Sequence, residues 1–237
     1  MTGATRGIGK AIAKDLYSLG ATLLLTGTDR KQVKELNNAM RPDDRIKYFY
    51  LDWLEEESVK RFLAAIKGYK RIDVCINNAG INRINHLCDI KINDWDAIMK
   101  VNLRGPFLLS KEVGRIMKKN RYGRIVNIAS ILGVITREKR APYTAAKAGL
   151  IGFTKTTAID LAHYNVLANS VSPGFVLTDL TREILTKKEI TDLKSSIPLK
   201  RFGTPEEVSR VVLFLASGLN TYITGQNIVV DGGFIDV

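Results

Sequence analysis

The chain has 237 residues, 45% of them hydrophobic, and 36 Lys and Arg against 24 Asp and Glu give it a net charge of +12. This composition is typical of a globular protein. It excludes a membrane-spanning chain, because no apolar run of about 18 residues occurs, and it excludes a disulfide framework, because only Cys75 and Cys88 are present. The basic residues are dispersed without the patterns of nucleic-acid binders, so their charge favours an anionic substrate or an acidic partner. Without a signal-peptide pattern, we expect a cytoplasmic protein.

Short β-prone runs alternate with helical periodicity along the chain. The first helical pattern covers residues 7–19, with apolar residues on one face and Gly20 at its end. Strands are predicted at 22–26, 46–51, 73–76, 124–128, 168–171 and 227–230. This alternation predicts an α/β fold: one doubly wound (Rossmann-type) parallel sheet with helices on both faces, in a single domain over residues 1–237.

A glycine-rich stretch opens the chain, in the sequence MTGATRGIG. Gly3 is predicted to allow a sharp turn, Gly7 a close approach of a pyrophosphate to the backbone, and Gly9 tight packing of the first helix on the sheet. The N-terminus of that helix would offer free N–H groups and a partial positive charge to the phosphates. A plain tight turn would show the same pattern, so the interpretation depends on partners elsewhere in the chain.

Further motifs follow in a definite order. They are Asn77-Asn78-Ala79-Gly80, Asn102, Ser130, Tyr143-Thr144-Ala145-Ala146-Lys147 and Pro173-Gly174. In order and spacing, over essentially the whole chain, they resemble the short-chain dehydrogenase/reductase family, and within it most closely the bacterial 3-oxoacyl-[acyl-carrier-protein] reductases. The resemblance implies an oxidoreductase that reduces a 3-oxoacyl thioester carried on acyl carrier protein or CoA. A dehydrogenase of a sugar, polyol or other small alcohol, or an idle cofactor-sensing relative, remains an alternative.

Four residues are predicted to carry the catalysis. Tyr143 and Lys147 are four residues apart in a helical run, so both project from one face, where the ammonium should lower the pKa of the phenol. Tyr143 would then be the general acid in ketone reduction. Ser130 follows a predicted strand, at the carboxyl edge where open α/β sheets bind ligands. By resemblance, Ser130 hydrogen-bonds the substrate oxygen and Asn102 holds a water against Lys147.

The resemblance also assigns the contacts to the dinucleotide. They are Gly3, Thr5, Arg6, Gly7, Ile8 and Gly9 in the first loop, Thr28 and Arg30 after run 22–26, Asp52 and Trp53 after run 46–51, Asn78, Ala79 and Gly80 after run 73–76, Pro173, Gly174, Val176 and Thr178 after run 168–171, together with Tyr143 and Lys147.

The cofactor is predicted to be NADP(H). Gly27 stands where an NAD-specific relative carries an acidic residue. Arg6, with Arg30 or Lys31, could then meet a 2′-phosphate. NAD(H) stays possible, because Asp29 lies close enough in sequence to reach the ribose.

Partners and assembly are expected from the resemblance alone. Residues 181–201 form a basic segment that would cover the substrate as a lid. Arg121 stands where the similar reductases dock an acidic carrier protein, but the second docking arginine, expected near Tyr164, is absent. Relatives are commonly tetramers through helices corresponding to 95–117 and 143–163, so we expect a homotetramer. His86 and His163 are too sparse for a metal site or a hydrolytic triad, and we expect no metal.

The beginning of the chain raises a difficulty for this fold. A sheet of strand order 3-2-1-4-5-6-7 needs a central strand leading into the glycine loop, yet nothing precedes Met1. Each buried backbone group left unpaired would cost roughly 1–3 kcal/mol. We therefore expect the first strand to be missing, with about five to ten residues lacking upstream of Met1, the ordinary length of a strand.

Overall fold

The structure is a computed structural model that describes residues 1–178 and 187–236. Its strands are β1 (Leu23–Gly27), β2 (Ile46–Tyr50), β3 (Val74–Asn77), β4 (Gly123–Ile128), β5 (Val166–Pro173) and β6 (Asn227–Val230). Its α-helices are α1 (Gly7–Ser18), α2 (Arg30–Ala39), α3 (Glu56–Lys67), α4 (Ile92–Met99), α5 (Gly105–Asn120), α6 (Ala141–Leu161), α7 (Lys187–Ser196) and α8 (Pro205–Ala216). A π-helical turn, Lys100–Arg104, joins α4 to α5. The predicted strands are confirmed, and five of the six agree to within one residue at each end.

All the strand pairs are parallel. The strands form two sheets, ordered β1-β2 and β3-β4-β5-β6. Successive strand residues point to opposite faces, and each face is covered. On one face, Cys75 and Ile125 belong to an apolar cluster with residues of α3 and α5. On the other, Ile76 and Val126 pack with residues of α1 and α8. The predicted doubly wound α/β fold is therefore confirmed.

Residues 1–4 lie between the two sheets and link them. The Thr2 N–H donates to the Ile76 carbonyl at 3.0 Å, and the Thr26 N–H donates to the Met1 carbonyl at 3.1 Å. The buried terminal ammonium donates to the Leu24 carbonyl at 2.6 Å, and burial lowers its pKa. No strand is assigned in residues 1–6, as expected. Some of the backbone groups on β1 and β3 that we expected to be unpaired are therefore hydrogen-bonded to residues 1–4.

The fifth strand is longer than its predicted core of 168–171. Every residue of β5 is buried, including Asn169, Ser170 and Ser172. Their side chains are satisfied locally: Asn169 Nδ2 donates to the Ile223 carbonyl at 2.7 Å, and both serine hydroxyls donate to Asn227 Oδ1. These polar residues interrupt the apolar run by which a buried strand is recognised in a sequence. In the fold they are buried because residues far along the chain accept or donate their hydrogen bonds.

The two cysteines differ in burial, whereas the two histidines are alike. Cys75 is buried, which raises the pKa of its thiol to about 11, whereas Cys88 is exposed. His86 and His163 are exposed. Within residues 1–178 and 187–236, no helix is long and apolar enough to cross a bilayer. Of the predicted lid, residues 181–186 lie outside the described ranges, and α7 lies within it.

Candidate active site

The glycine-rich loop is shaped to receive a phosphate. Gly3 and Gly7 have φ values of +63° and +53°, the left-handed region that favours glycine. A Cβ on Gly9 would lie 2.0 Å from the Gly3 carbonyl oxygen, so only glycine fits there. Helix α1 begins directly after Arg6, without a side-chain cap. Its first N–H groups therefore point out of the helix with no capping side chain, which suits an anion.

The end of β3 holds this loop in place. Asn78 Nδ2 donates to the carbonyls of Thr2 and Gly3, at 3.2 Å and 2.8 Å. In return, the Thr2 hydroxyl accepts the N–H groups of Asn78 and Ala79, at 3.0 Å and 3.1 Å. Asn78 and Ala79 thus organise the loop, and Thr2 is an organising residue that the motif search did not single out.

The end of β1 lies beside the same loop. A Cβ on Gly27 would come within 2.7 Å of Thr5 Cγ2, so a larger residue there would displace the loop. The Asp29 carboxylate caps α2 by accepting the Gln32 N–H at 3.0 Å, which makes it less available to a ribose. Arg30 is paired with Glu55 at 2.6 Å and lies 4.1 Å from the centre of the Tyr50 ring. Arg30 is therefore engaged, whereas the exposed guanidinium of Arg6 has no hydrogen bond or ion pair with the described residues.

The predicted contacts after β2 divide into two kinds. Asp52 is half-buried at the strand end, and its Oδ1 accepts the Leu54 N–H at 2.9 Å. The indole of Trp53 is part of the core, against the helix that begins at Gly105, where a Cβ would be 2.7 Å from the ring. The side chain of Trp53 is thus a packing group, and the contact of this residue with the cofactor stays a prediction. Thr28, at the end of β1, is exposed.

The segment after β5 lies beside the glycine loop, and the space between them is called the cleft below. Pro173 and Val176 are buried, and the Gly174 N–H donates to the Val230 carbonyl at 2.9 Å. A Cβ on Gly7 would lie 3.5 Å from Thr178 Cγ2, so this segment reaches van der Waals distance of the glycine loop. Ile8 packs inward against the α1–α8 cluster. The contacts predicted on these two segments therefore border one cleft.

Three of the four predicted catalytic side chains meet at the carboxyl edge of β4. Ser130 follows β4, its hydroxyl accepts the Leu132 N–H at 3.1 Å, and it is near enough to Tyr143 to act on the pKa of the phenol. Lys147 lies one turn further along α6, with Nζ 5.6 Å from the centre of the Tyr143 ring. The buried Lys147 Nζ donates to the Ile128 carbonyl at 2.7 Å. A carbonyl beside Ser130 and Tyr143 would therefore find two hydroxyl groups, with a cation behind them.

Asn102 lies in the π-helical turn, fully buried. Its amide makes both possible bonds to the Ile81 backbone, accepting the N–H at 2.9 Å and donating to the carbonyl at 2.8 Å. A Cβ on Gly80 would lie 3.4 Å from Asn102 Oδ1 and 3.6 Å from Lys147 Nζ. The bare glycine backbone therefore lies between the amide and the ammonium. Single-turn π-helices are frequent at functional sites, and this one sets Asn102 close to the lysine.

The titration of the two central groups differs from the expectation. Burial raises the pKa of Tyr143 above its ordinary value, and the opposing effects are the Ser130 hydrogen bond and the charge of Arg140. The predicted lowering of the phenol pKa by Lys147 is therefore wrong for this arrangement. Burial also lowers the pKa of Lys147 to about 8. The reason is that desolvation of the buried phenol, about which a spacing pattern carries no information, outweighs the effects of Ser130 and Arg140.

The lowered pKa of Lys147 predicts a dependence of stability on pH. The unfolded chain keeps this proton up to the ordinary pKa of 10.5, and the folded chain only up to about 8, so stability rises with pH between these values. The shift corresponds to about 3 kcal/mol, of which about 1 kcal/mol is offset by the bond to Ile128. Lys147→Met should therefore raise the free energy of unfolding by about 2 kcal/mol at pH 7.

Urea denaturation at pH 7 and pH 10 measures this effect. The advantage of Lys147→Met should shrink at pH 10, where the wild-type lysine is neutral. Lys155→Met is the matched control, because Lys155 is exposed on the same helix. A wild type more stable than Lys147→Met at pH 7, or a difference that does not change with pH, would contradict the prediction.

The structure combines a doubly wound parallel sheet, a glycine loop, and serine, tyrosine and lysine side chains grouped at the carboxyl edge of the sheet. This combination defines a class of oxidoreductase. The chain belongs to the short-chain dehydrogenase/reductase family, and the family model described as enoyl-(acyl carrier protein) reductase matches residues 3–235. It is 44% identical, over 98% of its length and 95% of the relative, to the 3-oxoacyl-[acyl-carrier-protein] reductase of Aquifex aeolicus.

Two solved structures show the same fold. ElxO with NADP bound has a TM-score of 0.90 at 29% identity, over 100% of this chain and 97% of that one. A 4-hydroxyisoleucine dehydrogenase mutant complexed with NADH and succinate has a TM-score of 0.92 at 30% identity, over 100% of this chain and 98% of that one.

Proposed function

We propose that this protein is an NADPH-dependent ketone reductase that converts 3-oxoacyl thioesters into 3-hydroxyacyl thioesters. The observation that carries the reaction type is the grouping of Ser130, Tyr143 and the buried Lys147 ammonium at the carboxyl edge of the sheet. The thioester is supported by the identity of 44% to a 3-oxoacyl-[acyl-carrier-protein] reductase.

The residues have distinct tasks in this reaction. The bound nicotinamide supplies the hydride for the carbonyl carbon. Ser130 donates a hydrogen bond to the carbonyl oxygen, and Tyr143 donates the proton that this oxygen takes up. Its raised pKa keeps Tyr143 protonated at neutral pH, which is the state that a proton donor needs. Lys147 stabilises the phenolate that remains, and Asn102 holds the water that connects the lysine to solvent.

The shape of the cleft suits a dinucleotide. The uncapped start of α1 and the bare backbone of Gly3, Gly7 and Gly9 would hold the pyrophosphate. Asp52 would bind the adenine, and the segment from Pro173 to Thr178 would lie beside the nicotinamide. The 237 residues would form a single cofactor-binding and catalytic domain.

The test is steady-state NADPH oxidation with a panel of substrates. Acetoacetyl thioesters of CoA and of N-acetylcysteamine should be reduced, and keto sugars should react poorly. Crotonyl thioesters belong in the panel, because the description of the matching family names an enoyl reductase. Reduction of crotonyl but not acetoacetyl thioesters would overturn the proposed ketone specificity. Cofactor binding without any turnover would favour a sensing role.

The preference for NADPH can be tested at the glycine loop. Arg6 is exposed and unpaired among the described residues, so it is the group that would meet a 2′-phosphate. Arg6→Gln should raise KM for NADPH by about 10- to 100-fold, the range for a lost charge-assisted hydrogen bond. KM for NADH should stay within about twofold, since NADH has no phosphate there. Lys10→Gln, an exposed charge on the same helix, is the control; equal losses with both cofactors would contradict the assignment.

The partner and the assembly follow from the relatives. We propose a homotetramer in the cytoplasm that receives its substrate on acyl carrier protein. Arg121 is exposed at the end of α5, and its guanidinium donates to the His163 carbonyl at 3.1 Å. Exposed apolar side chains on α5 and α6, such as Phe107 and Ile159, would be covered in a tetramer. Sedimentation and carrier-protein titration measure the two properties separately.

A further inference from the structure

Two arginines beside the proposed catalytic tyrosine have no part in the reaction described above. Arg140 immediately precedes α6, three residues before Tyr143. Its Nη1 is buried and has no hydrogen-bond partner in residues 1–178 and 187–236. A buried N–H of a guanidinium is costly when it is unpaired. Such a group next to a reaction centre points to a ligand that completes it.

Arg137 strengthens the positive charge of this place. It is near enough to Arg140 for its charge, together with burial, to lower the pKa of the Arg140 guanidinium. The Arg137 Cζ lies 5.7 Å from the centre of the Phe175 ring, on the segment after β5 that borders the cleft. The two cations therefore stand between the start of α6 and that segment. Like charges repel at this range, and an anion between them would relieve the repulsion.

The position of the arginines limits the anion that they can bind. Tyr143 marks the place of the reacting carbonyl, and the Arg140 guanidinium, at the N-cap of the same helix, is near enough to the phenol for each group to act on the pKa of the other. An anionic group bound by Arg140 must therefore lie within a few bonds of that carbonyl. This distance fits a carboxylate one or two carbons away, and it does not fit the phosphate at the far end of a carrier arm. A guanidinium fork matches a carboxylate in geometry as well as in charge.

We propose that Arg140, assisted by Arg137, forms a carboxylate subsite, so that the enzyme also reduces free 3-oxo acids. The inference rests on the proposed ketone reduction, because Tyr143 sets the position of the carbonyl. In a 3-oxoacyl thioester the same place receives a neutral thioester carbonyl, which accepts a weaker hydrogen bond than a carboxylate. Two substrates that differ mainly in the charge at this carbon therefore distinguish the effect of the subsite from that of the rest of the active site.

The experiment compares two substrates with one acyl group. Acetoacetate and its N-acetylcysteamine thioester are reduced by wild type, Arg140→Gln and Arg140→Lys. Arg140→Gln should lower kcat/KM for acetoacetate by about 10- to 100-fold, and for the thioester by less than about threefold, because a neutral acceptor loses less. Arg140→Lys should restore part of the acetoacetate activity. Lys139→Gln removes the neighbouring charge, which is half-buried and lies 4.0 Å from the Glu138 carboxylate, and it should leave kcat/KM unchanged for both substrates.

Each outcome decides the proposal. Equal losses for both substrates, with a shifted pH profile, would assign Arg140 to the titration of Tyr143 and overturn the subsite. A wild type that reduces the thioester but not acetoacetate would overturn it as well. If neither substrate is reduced, the proposed function fails, and calorimetric titration of acetoacetate into the enzyme with NADP decides the subsite. Binding that Arg140→Gln abolishes supports the subsite, and absence of binding to wild type overturns it.

Discussion

Tyr143→Phe is expected to lower kcat for ketone reduction by about 10²- to 10⁴-fold, the usual contribution of a positioned general acid. The phenylalanine keeps the ring but removes the hydroxyl that lies near Ser130. The dissociation constant for NADPH should change by less than about twofold, because a proton donor acts in the reaction and not in cofactor binding. Stopped-flow reduction of an acetoacetyl thioester and fluorescence titration of NADPH measure the two quantities.

The control for this substitution is Tyr222→Phe. Tyr222 is 96% exposed, so the loss of its hydroxyl removes no buried contact and should leave kcat unchanged. Retained activity in Tyr143→Phe would refute its role as the proton donor. Loss of NADPH binding in parallel with activity would instead indicate a damaged cleft.

Gly9→Ala is expected to weaken cofactor binding and to destabilise the fold. Its Cβ would lie 2.0 Å from the Gly3 carbonyl oxygen and 2.5 Å from Asn78 Nδ2. Neither atom can retreat cheaply, because that Nδ2 donates to the same carbonyl. The loop must therefore open, and the affinity for NADPH should fall by about 5- to 150-fold, because overpacking commonly costs 1–3 kcal/mol and here acts at the binding surface itself. Calorimetry with NADPH and thermal unfolding test both effects.

Gly152→Ala provides the matched control. Gly152 lies in α6, and an added Cβ there meets nothing within 4 Å. The same chemical change should stabilise this helix by up to about 1 kcal/mol, since alanine is the better helix former. If Gly9→Ala bound NADPH as tightly as wild type, the glycine loop would not be the phosphate site.

The elements and the central residues of the site could be predicted because their signals are local. Apolar runs placed β4 and β6, and the spacing of Tyr143 and Lys147 placed both on one helix face. The glycine loop was readable for the same reason, since its backbone angles require glycine at particular positions.

Other features depended on groups far away in the sequence. The ion pair that engages Arg30 joins it to Glu55, 25 residues away. The burial of Trp53 depends on α5, which no local pattern reveals. The raised pKa of Tyr143 results from the burial of the phenol by several elements of the fold, and a one-turn spacing carries no information about desolvation. The unpaired Arg140 Nη1 also emerges only when the fold surrounds it.

The short segment Met1–Ala4, at the start of the glycine loop, also connects the two sheets. In the described part of the chain, the backbone bonds that connect β1 with β3 run through these residues. The same residues lead directly into the proposed phosphate cradle. A dinucleotide bound there would stabilise the contact between the two sheets. Cofactor binding would therefore raise the stability of the protein, and weakening of this contact would lower the affinity for the cofactor.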